Sequence, residues 1–479
     1  MPSNLKRKMT SGLLWNSIDR FSNQGLSFVF SVLIARIVSP DNYGVIAMLY
    51  VFTDVAQVFI EGGITSAIIR KPNLSEEDLS TAFFLNIGVA AFSYVILFCT
   101  APLVASFYQM PLVESVLRWT SVVLLLNSLC IVQQAKLTID LDFRLQAKLN
   151  LFSTAISGVV GLVMAYRGGE IWALVGQMIS FSLFRSLLFW LYSKWRPKVS
   201  FSKNAYRYLF GYGSKLLFAN LQERLYNNLT PIIIGKFYSP TQLGFFSRAQ
   251  GFAMLPAMNI TGILQKVTFP ILSKMQDDNE LLIKNYRRIL RMSAFCVFPL
   301  MTLLFAVSAP LIRILLTEKW QDSVPMLQIL CFAMILFPIH AINLNLIQVK
   351  GRSDLVLKLE IIKRVIGVAI ICVTVPLGIL AMCYGMVLSS VISLFLNTYY
   401  TRIFVKLGLW LQLKDILPMF VNSIIAGGIA YLIVLEVKED IISLIAACCG
   451  ATVYYLCSSH FFKSPELDEI ISIIKNKEV

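Results

Sequence analysis

The chain has 479 residues, of which 57% are hydrophobic and only 14% charged, with a mean hydropathy of +0.71. A soluble domain carries roughly 25% charged residues, so this composition excludes a soluble globular protein. The net charge of +15 is scattered over short links rather than gathered on one soluble face, which argues against nucleic-acid binding and suits contact with anionic lipid headgroups.

Runs of about 20 apolar residues read as membrane spans, and they predict an all-α polytopic membrane protein of about fourteen transmembrane helices. In chain order the first six lie near 12–36, 43–69, 80–105, 113–135, 149–166 and 170–193. The next six lie near 209–237, 241–273, 285–308, 322–349, 355–376 and 378–403, and two more near 414–435 and 440–462. The first run follows Lys6, Arg7 and Lys8 but carries Asn16, Asp19 and Arg20 and lacks a cleavage-type end, so it reads as a retained helix rather than a signal peptide.

Charge tests this count, because Lys and Arg concentrate in cytoplasmic links. With a cytoplasmic N-terminus, most of the 42 basic residues fall on that side, in groups such as Lys136/Arg144/Lys148, Lys194/Arg196/Lys198 and Arg287/Arg288/Arg291. The opposite side holds Arg36, Arg167, Lys236, Arg313, Lys319 and Lys438, with Arg118 close by. Dropping one helix would put two heavily basic links outside. The count is therefore even, and both termini are expected in the cytoplasm.

The pattern repeats. Leu33-Ile34-Ala35-Arg36-Ile37-Val38-Ser39-Pro40-Asp41-Asn42-Tyr43-Gly44 returns as Ile233-Ile234-Gly235-Lys236-Phe237-Tyr238-Ser239-Pro240-Thr241-Gln242-Leu243-Gly244. Ala101-Pro102-Leu103 returns as Ala309-Pro310-Leu311, and Glu114-Ser115-Val116 as Asp322-Ser323-Val324. Three matches in order predict a parallel repeat of six helices plus six. The expected organisation is an N-terminal six-helix lobe over 1–200, a pseudo-symmetric C-terminal lobe over 201–408, and two additional helices with a cytoplasmic tail over 409–479. A central cavity is expected between the lobes.

Polar residues mark that cavity. The first span carries Asn16, Asp19, Arg20, Asn23, Gln24, Ser27 and Ser31 at three- and four-residue spacing, and the second carries Asp54, Gln57, Glu61 and Thr65. The seventh carries Lys215, Asn220, Glu223, Arg224, Asn227 and Asn228, and the eighth Arg248, Asn259 and Lys266. A charge at the bilayer centre costs about 2.5–3.5 kcal/mol on insertion scales, so such stripes face water or one another. The plainer reading makes Asp19–Arg20 and Glu223–Arg224 structural ion pairs; it accounts for a single pair but not for a stripe in both halves. Arg185 is an exception among the outer helices.

Other features read as structural. Gly62-Gly63 permits close packing or a kink, and His340 and Asn343 make interhelical hydrogen bonds. Lys194-Trp195-Arg196-Pro197-Lys198 is an interfacial anchor between the lobes. The nine cysteines lie in apolar runs, apart from Cys383 near a helix end, and read as small buried residues. With two histidines in the chain, no zinc site of ordinary spacing is expected. No G-x-x-x-x-G-K-[ST] nucleotide loop is present, so no cofactor is expected.

Ser11-Gly12-Leu13-Leu14-Trp15, the Leu33 to Gly44 turn and Phe59-Ile60-Glu61-Gly62-Gly63-Ile64 resemble the polysaccharide exporters of the multidrug/oligosaccharidyl-lipid/polysaccharide flippase superfamily. So do Phe269-Pro270-Ile271-Leu272-Ser273-Lys274-Met275-Gln276-Asp277-Asp278 and Glu318-Lys319-Trp320. The similarity covers about residues 8–410 and is nearest to the colanic-acid exporter branch of the Wzx-type flippases. It implies a bacterial inner-membrane transporter, not an enzyme, that moves an undecaprenyl-pyrophosphate-linked oligosaccharide to the periplasmic leaflet by alternating access, for lipopolysaccharide or exopolysaccharide synthesis. On that reading Asn16, Asn23, Asn220 and Asn227 meet sugar hydroxyls, while Arg20, Arg224, Arg248 and Lys266 meet the pyrophosphate. The resemblance also implies exchange for an inward-moving H+ or Na+, for which Asp19, Asp54, Glu61 and Glu223 are candidates. Membrane lipids and a polysaccharide polymerase are the implied partners. Rival readings are a multidrug or cation antiporter of the same fold, a peptidoglycan lipid-precursor flippase, and a membrane-embedded polymerase or ligase. The short external links tell against the last.

Overall fold

The structure, a computed structural model, describes residues 3–61, 63–71 and 73–475; the side chains of residues 3–14, 16, 17, 215, 219, 266, 267 and 473–475 lie outside that description. Among the described residues every regular element is helical. The chain forms two compact units, 1–244 and 245–479.

The first unit contains α1 (Ser3–Ala35), α2 (Pro40–Glu61) continued by α3 (Ile64–Arg70), and α4 (Glu76–Tyr108). There follow α5 (Leu112–Ser128) with α6 (Ile131–Ile139), α7 (Phe143–Tyr166), α8 (Ile171–Tyr192), and α9 (Lys203–Asn227) with α10 (Leu229–Phe237). Helix α11 (Pro240–Lys274) runs on into the second unit. That unit holds α12 (Asn279–Ala306) with α13 (Ser308–Leu316), α14 (Ser323–Ile335) with α15 (Phe337–Val349), α16 (Ser353–Thr374), α17 (Ile379–Val405), α18 (Leu409–Glu436), α19 (Asp440–Phe461) and the short α20 (Pro465–Lys475).

Taking broken helices as single crossings, these make fourteen segments at the predicted positions, and ten are long and apolar enough to cross a bilayer by length and composition. The remaining four begin with α1, α9, α11 and α16; the first three are three of the four segments that carry the polar stripes, and α16 carries Lys358, Glu360, Lys363 and Arg364. Large apolar side chains such as Phe92, Leu103, Leu191, Val373 and Leu432 stand exposed, as lipid-facing residues do.

Capping chemistry sets the helix starts. Ser39 and Ser239 precede Pro40 and Pro240, the first residues of α2 and α11. Ser at the cap and Pro at the first helical position are preferred because the Ser oxygen serves a free N–H and Pro has none to lose. Accordingly the Ser239 hydroxyl accepts from the Gln242 N–H at 3.2 Å; the Ser39 hydroxyl accepts instead from the side-chain amide Nδ2 of Asn42 at 2.9 Å. The repeated sequence thus encodes a repeated helix start. Four residues on, Gly44 and Gly244 allow backbone to touch backbone. A Cβ on Gly44 would stand 1.7 Å from the Pro240 carbonyl oxygen, and one on Gly244 would stand 2.0 Å from that of Pro40.

At the α2–α3 break, Gly63 has φ of +81° and a Cβ there would lie 2.6 Å from Gly213 Cα on α9. This glycine provides both the kink and the close packing expected of it. Trp195 turns inward instead of lying at a lipid interface: it is buried with Ile64, Phe83 and Leu209 and donates from Nε1 to Glu76 at 2.8 Å. The link 194–202 is sewn to the start of α4, with Lys198 N–H on Ser80 and Ser202 N–H on Thr81, each at 3.0 Å. Cys130, Cys331 and Cys383 are buried, but Cys99, Cys372, Cys449 and Cys457 are exposed. The expectation of buried cysteines holds only in part, because a lipid-facing thiol is as much at home as a packed one.

In the second unit, ion pairs staple the last helices to α12 and α13. Arg287 forms two bonds to buried Asp415 at 2.6 and 2.7 Å, and Arg313 meets Asp440 at 2.5 Å. Arg288 and Arg291 reach Glu469 and Glu466 of α20 at 2.7 and 3.0 Å. Between these pairs lies a buried polar network. Tyr286 donates to Asn343 at 2.9 Å, Asn343 donates to Gln412 at 3.1 Å, and Gln412 donates to Thr401 at 2.9 Å. His340 lies 3.1 Å from Ser390 and 3.3 Å from Asn397, so the expected interhelical bonds of His340 and Asn343 are formed.

Candidate functional site

Two polar constellations occupy the membrane segments of the first unit. One surrounds a cavity of about 310 Å³ between α1, α7 and α8, lined by Asp19, Arg20, Asn23, Ser27, Asn150, Thr154, Phe181 and Arg185. The 19-to-23 spacing puts Asp19 and Asn23 one turn apart on one face of α1, and Asn23 Nδ2 donates to Asp19 Oδ1. From α7, Asn150 Nδ2 donates to Asp19 Oδ2 at 3.2 Å and the Thr154 hydroxyl donates to Asn23 Oδ1 at 2.9 Å. From α8, Arg185 donates through Nη2 to Gln134 of α6, with its guanidinium 6.0 and 5.8 Å from the rings of Phe181 and Phe189.

The second constellation joins α2 to α9. Asp54 is only 9% exposed, and its two oxygens accept from Arg224 Nη1 at 3.2 Å and Asn228 Nδ2 at 2.8 Å. Asn228 sits at the α9–α10 break, where its backbone N–H and side chain both donate to the Arg224 carbonyl. The helix break therefore aims the amide at the carboxylate. One turn along α2, Gln57 donates to Glu61 at 3.0 Å and accepts from Asn127 of α5 at 3.4 Å.

The stripes are partly assembled in this way. Asp19, Arg20 and Asn23 share the cavity, and Asp54 and Arg224 share an ion pair. Asn220, Glu223 and Asn227 are exposed along α9. In the second unit the Arg248 guanidinium lies 5.6 Å from the ring of fully buried Trp320, the tryptophan of the Glu318-Lys319-Trp320 motif, and Phe245 meets the same ring edge-on. The side chains of Asn16 and Lys266 lie outside the described residues. The sequence reading missed Asn150, Thr154 and Phe181, although Asn150/Thr154 and Phe181/Arg185 are each spaced four apart in otherwise apolar helices. That spacing on α7 and α8 was the available signal.

The model of the polysaccharide biosynthesis protein family matches residues 33–325. Among curated proteins, the teichuronic acid biosynthesis protein TuaB of Bacillus subtilis (strain 168) is 25% identical over 434 residues, covering 90% of each chain. The lipopolysaccharide biosynthesis protein WzxC of Escherichia coli (strain K12) is 24% identical over 440 residues, covering 88% of each. The succinoglycan biosynthesis transport protein ExoT of Rhizobium meliloti (strain 1021) is 23% identical over 68% of this chain and 66% of its own. Among solved structures, the lipid II flippase MurJ in an inward closed conformation superposes with a TM-score of 0.75 at 16% identity, over 94% of this chain and 99% of that one. An inward-facing multidrug transporter of the MATE family gives a TM-score of 0.60 at 16% identity, over 82% and 98%. The fold is thus shared with both transporters. With more than half its length matched by that model, the chain belongs to the polysaccharide biosynthesis protein family.

Proposed function

We propose that this protein is a flippase that carries undecaprenyl-pyrophosphate-linked oligosaccharides across the cytoplasmic membrane for surface polysaccharide synthesis. The observation that carries the reading is the collection of guanidinium and carboxamide groups inside membrane helices: Arg20, Asn23, Asn150 and Arg185 at one cavity, Arg224 and Asn228 at the other cluster. Amides and hydroxyls match sugar hydroxyls, and guanidiniums match the oxygens of a pyrophosphate. The lipid tail stays in the bilayer while the headgroup crosses. The basic links on one side support cytoplasmic termini at both ends of the chain, and a polymerase consuming the flipped unit is the natural partner.

The substrate set comprises Asn16, Arg20, Asn23, Asn220, Arg224, Asn227, Arg248 and Lys266. Coupling to H+ or Na+ falls on the membrane carboxylates Asp19, Asp54, Glu61 and Glu223. Asp54 is held by Arg224, and Asp19 by two amides in a cavity with two guanidiniums. That favours Glu61, bonded by a neutral amide, and exposed Glu223 for the coupling role.

The test is flipping of such an oligosaccharide lipid in proteoliposomes by the wild type, Arg20→Ala and Arg224→Ala. Loss of flipping in folded variants supports the reading. Undiminished flipping in both makes those arginines structural, and export of small cations without flipping moves the protein to the drug-exporter class. Collapse of the proton or sodium gradient should stop transport, and persistence after both collapse removes coupling.

A further inference from the structure

We propose that the first half of α12 is a binding site for the phosphodiester headgroup of an anionic phospholipid, and that α20 is a lid held over it by its own carboxylates. Lys284, Arg287, Arg288 and Arg291 are spaced i, i+3, i+4 and i+7, which puts four bases on one face of α12. Arg287 is taken by Asp415, so Lys284, Arg288 and Arg291 remain for a lipid.

The depth is right for a headgroup. Helices α12 and α19 are both long and apolar enough to cross a bilayer. The Tyr455 hydroxyl of α19 donates to the Phe295 carbonyl of α12 at 3.1 Å. That contact brings the end of α19, with Phe461 and Phe462 79% and 76% exposed, near the level of Arg288 and Arg291. The bases thus stand at one end of the membrane segment, where phosphates lie.

The lid is amphipathic. Leu467, Ile470 and Ile471 of α20 share one stripe, with Glu466, Asp468 and Glu469 outside it. Glu469 accepts two bonds from Arg288 at 2.7 and 2.8 Å. Arg291 Nε lies 3.0 Å from Glu466 Oε1, yet its N–H has no aligned acceptor among the described residues. The two carboxylates therefore stand where phosphate oxygens would pair with the guanidiniums.

This hold is light. The Arg288 and Glu469 side chains are 56% and 24% exposed, and pairs open to water contribute little. Glu466 is buried, so its carboxylate gives up hydration for one unaligned contact. Anionic lipid works on both partners: its phosphodiester pairs with the arginines, and its surface charge repels the three acids of α20. Each base near such a surface gains about fivefold in attraction. Once released, α20 lies on the bilayer by its apolar stripe instead of entering water.

The experiment places the full-length protein in vesicles of phosphatidylcholine, with or without phosphatidylglycerol, and reads hydrogen exchange of the α20 amides. Phosphatidylglycerol should speed exchange in the wild type by about five- to twenty-fivefold, the gain of one or two arginines. Glu466→Gln/Glu469→Gln should exchange fast in both membranes. Native mass spectrometry then counts retained phosphatidylglycerol, a readout of the site itself. That count should be highest in Glu466→Gln/Glu469→Gln, lowest in Arg288→Gln/Arg291→Gln, and at the wild-type level in the charge-preserving Arg288→Lys. Exchange in wild-type α20 that ignores phosphatidylglycerol overturns the inference, as does equal lipid retention by the acid and arginine variants. Opening of α20 by soluble glycerol phosphate in phosphatidylcholine overturns it too, because the site would then serve free phosphate and not a lipid.

Discussion

If Arg224 serves the pyrophosphate, it must first leave Asp54, and the energy of that exchange can be worked out. Asp54 is nearly buried, while the Arg224 side chain is 48% exposed. The 3.2 Å contact is therefore a half-screened, charge-assisted bond worth about 1.5 kcal/mol. Substrate binding has to offset that amount, and Asp54→Asn removes most of the cost because a neutral amide holds the guanidinium weakly. About 1.4 kcal/mol is tenfold in binding, so Asp54→Asn should lower the apparent KM about tenfold and slow turnover through tighter retention of the headgroup. Arg224→Ala should raise KM instead. Replacing both Arg224 and Asn228 leaves a buried carboxylate with neither donor and should cost about 3–5 kcal/mol of stability, read as a lowered melting temperature in detergent. The assay is concentration-dependent flipping in proteoliposomes beside thermal melts. If Asp54→Asn and Arg224→Ala both lose stability and leave KM unchanged, the pair is structural and the exchange does not occur.

Gly44→Ala and Gly244→Ala each drive a methyl group into a proline carbonyl; both should destabilise by about 3 kcal/mol, the upper part of the overpacking range, and sharply reduce folded yield. The arginines of α12 should separate by burial. Arg287→Ala strips the bidentate partner from buried Asp415 and should cost about 3 kcal/mol, whereas Arg288→Ala, at an exposed pair with Glu469, should cost under about 1 kcal/mol; melting curves of the two variants check this. Tyr286→Phe removes the donor to Asn343 in the buried network of the second unit and should cost about 1–3 kcal/mol, again by thermal melt.

The helices were legible because the bilayer demands long apolar runs; those runs begin near 43 and 241, and the earlier starts at Pro40 and Pro240, set by Ser-Pro, are shown by the structure. The breaks were less legible. At the interruptions in α5–α6, α9–α10 and α12–α13 a polar side chain serves a carbonyl of the preceding turn: Ser128 that of Leu125, Asn228 that of Arg224 and Ser308 that of Phe305. Nothing local foretold that Val307 would interrupt the second copy where Pro102 rides inside an unbroken α4. At the site, Asp19, Arg20 and Asn23 stood out because charge inside a span is expensive. Asn150 and Thr154 did not, since hydroxyls and amides occur often enough in membrane helices to pass as packing. Their meaning comes from the fold, which lays α7 against α1 and turns Asn150 toward Asp19 and Thr154 toward Asn23. The Asp54–Arg224 pair illustrates the same limit: each residue was visible on its own stripe, but the 170 residues between them hid the contact.

The reciprocal touch of Gly44 on Pro240 and Gly244 on Pro40 has the grammar of a two-fold homodimer written inside a single polypeptide. Residue i of one copy meets residue j of the other, and j meets i, which is the signature of an isologous interface. Such a surface is its own complement, and here both halves of it lie on one chain. A change at Gly44 or at Gly244 therefore acts on the same seam, and one side chain added at either place disturbs the backbone of both motifs.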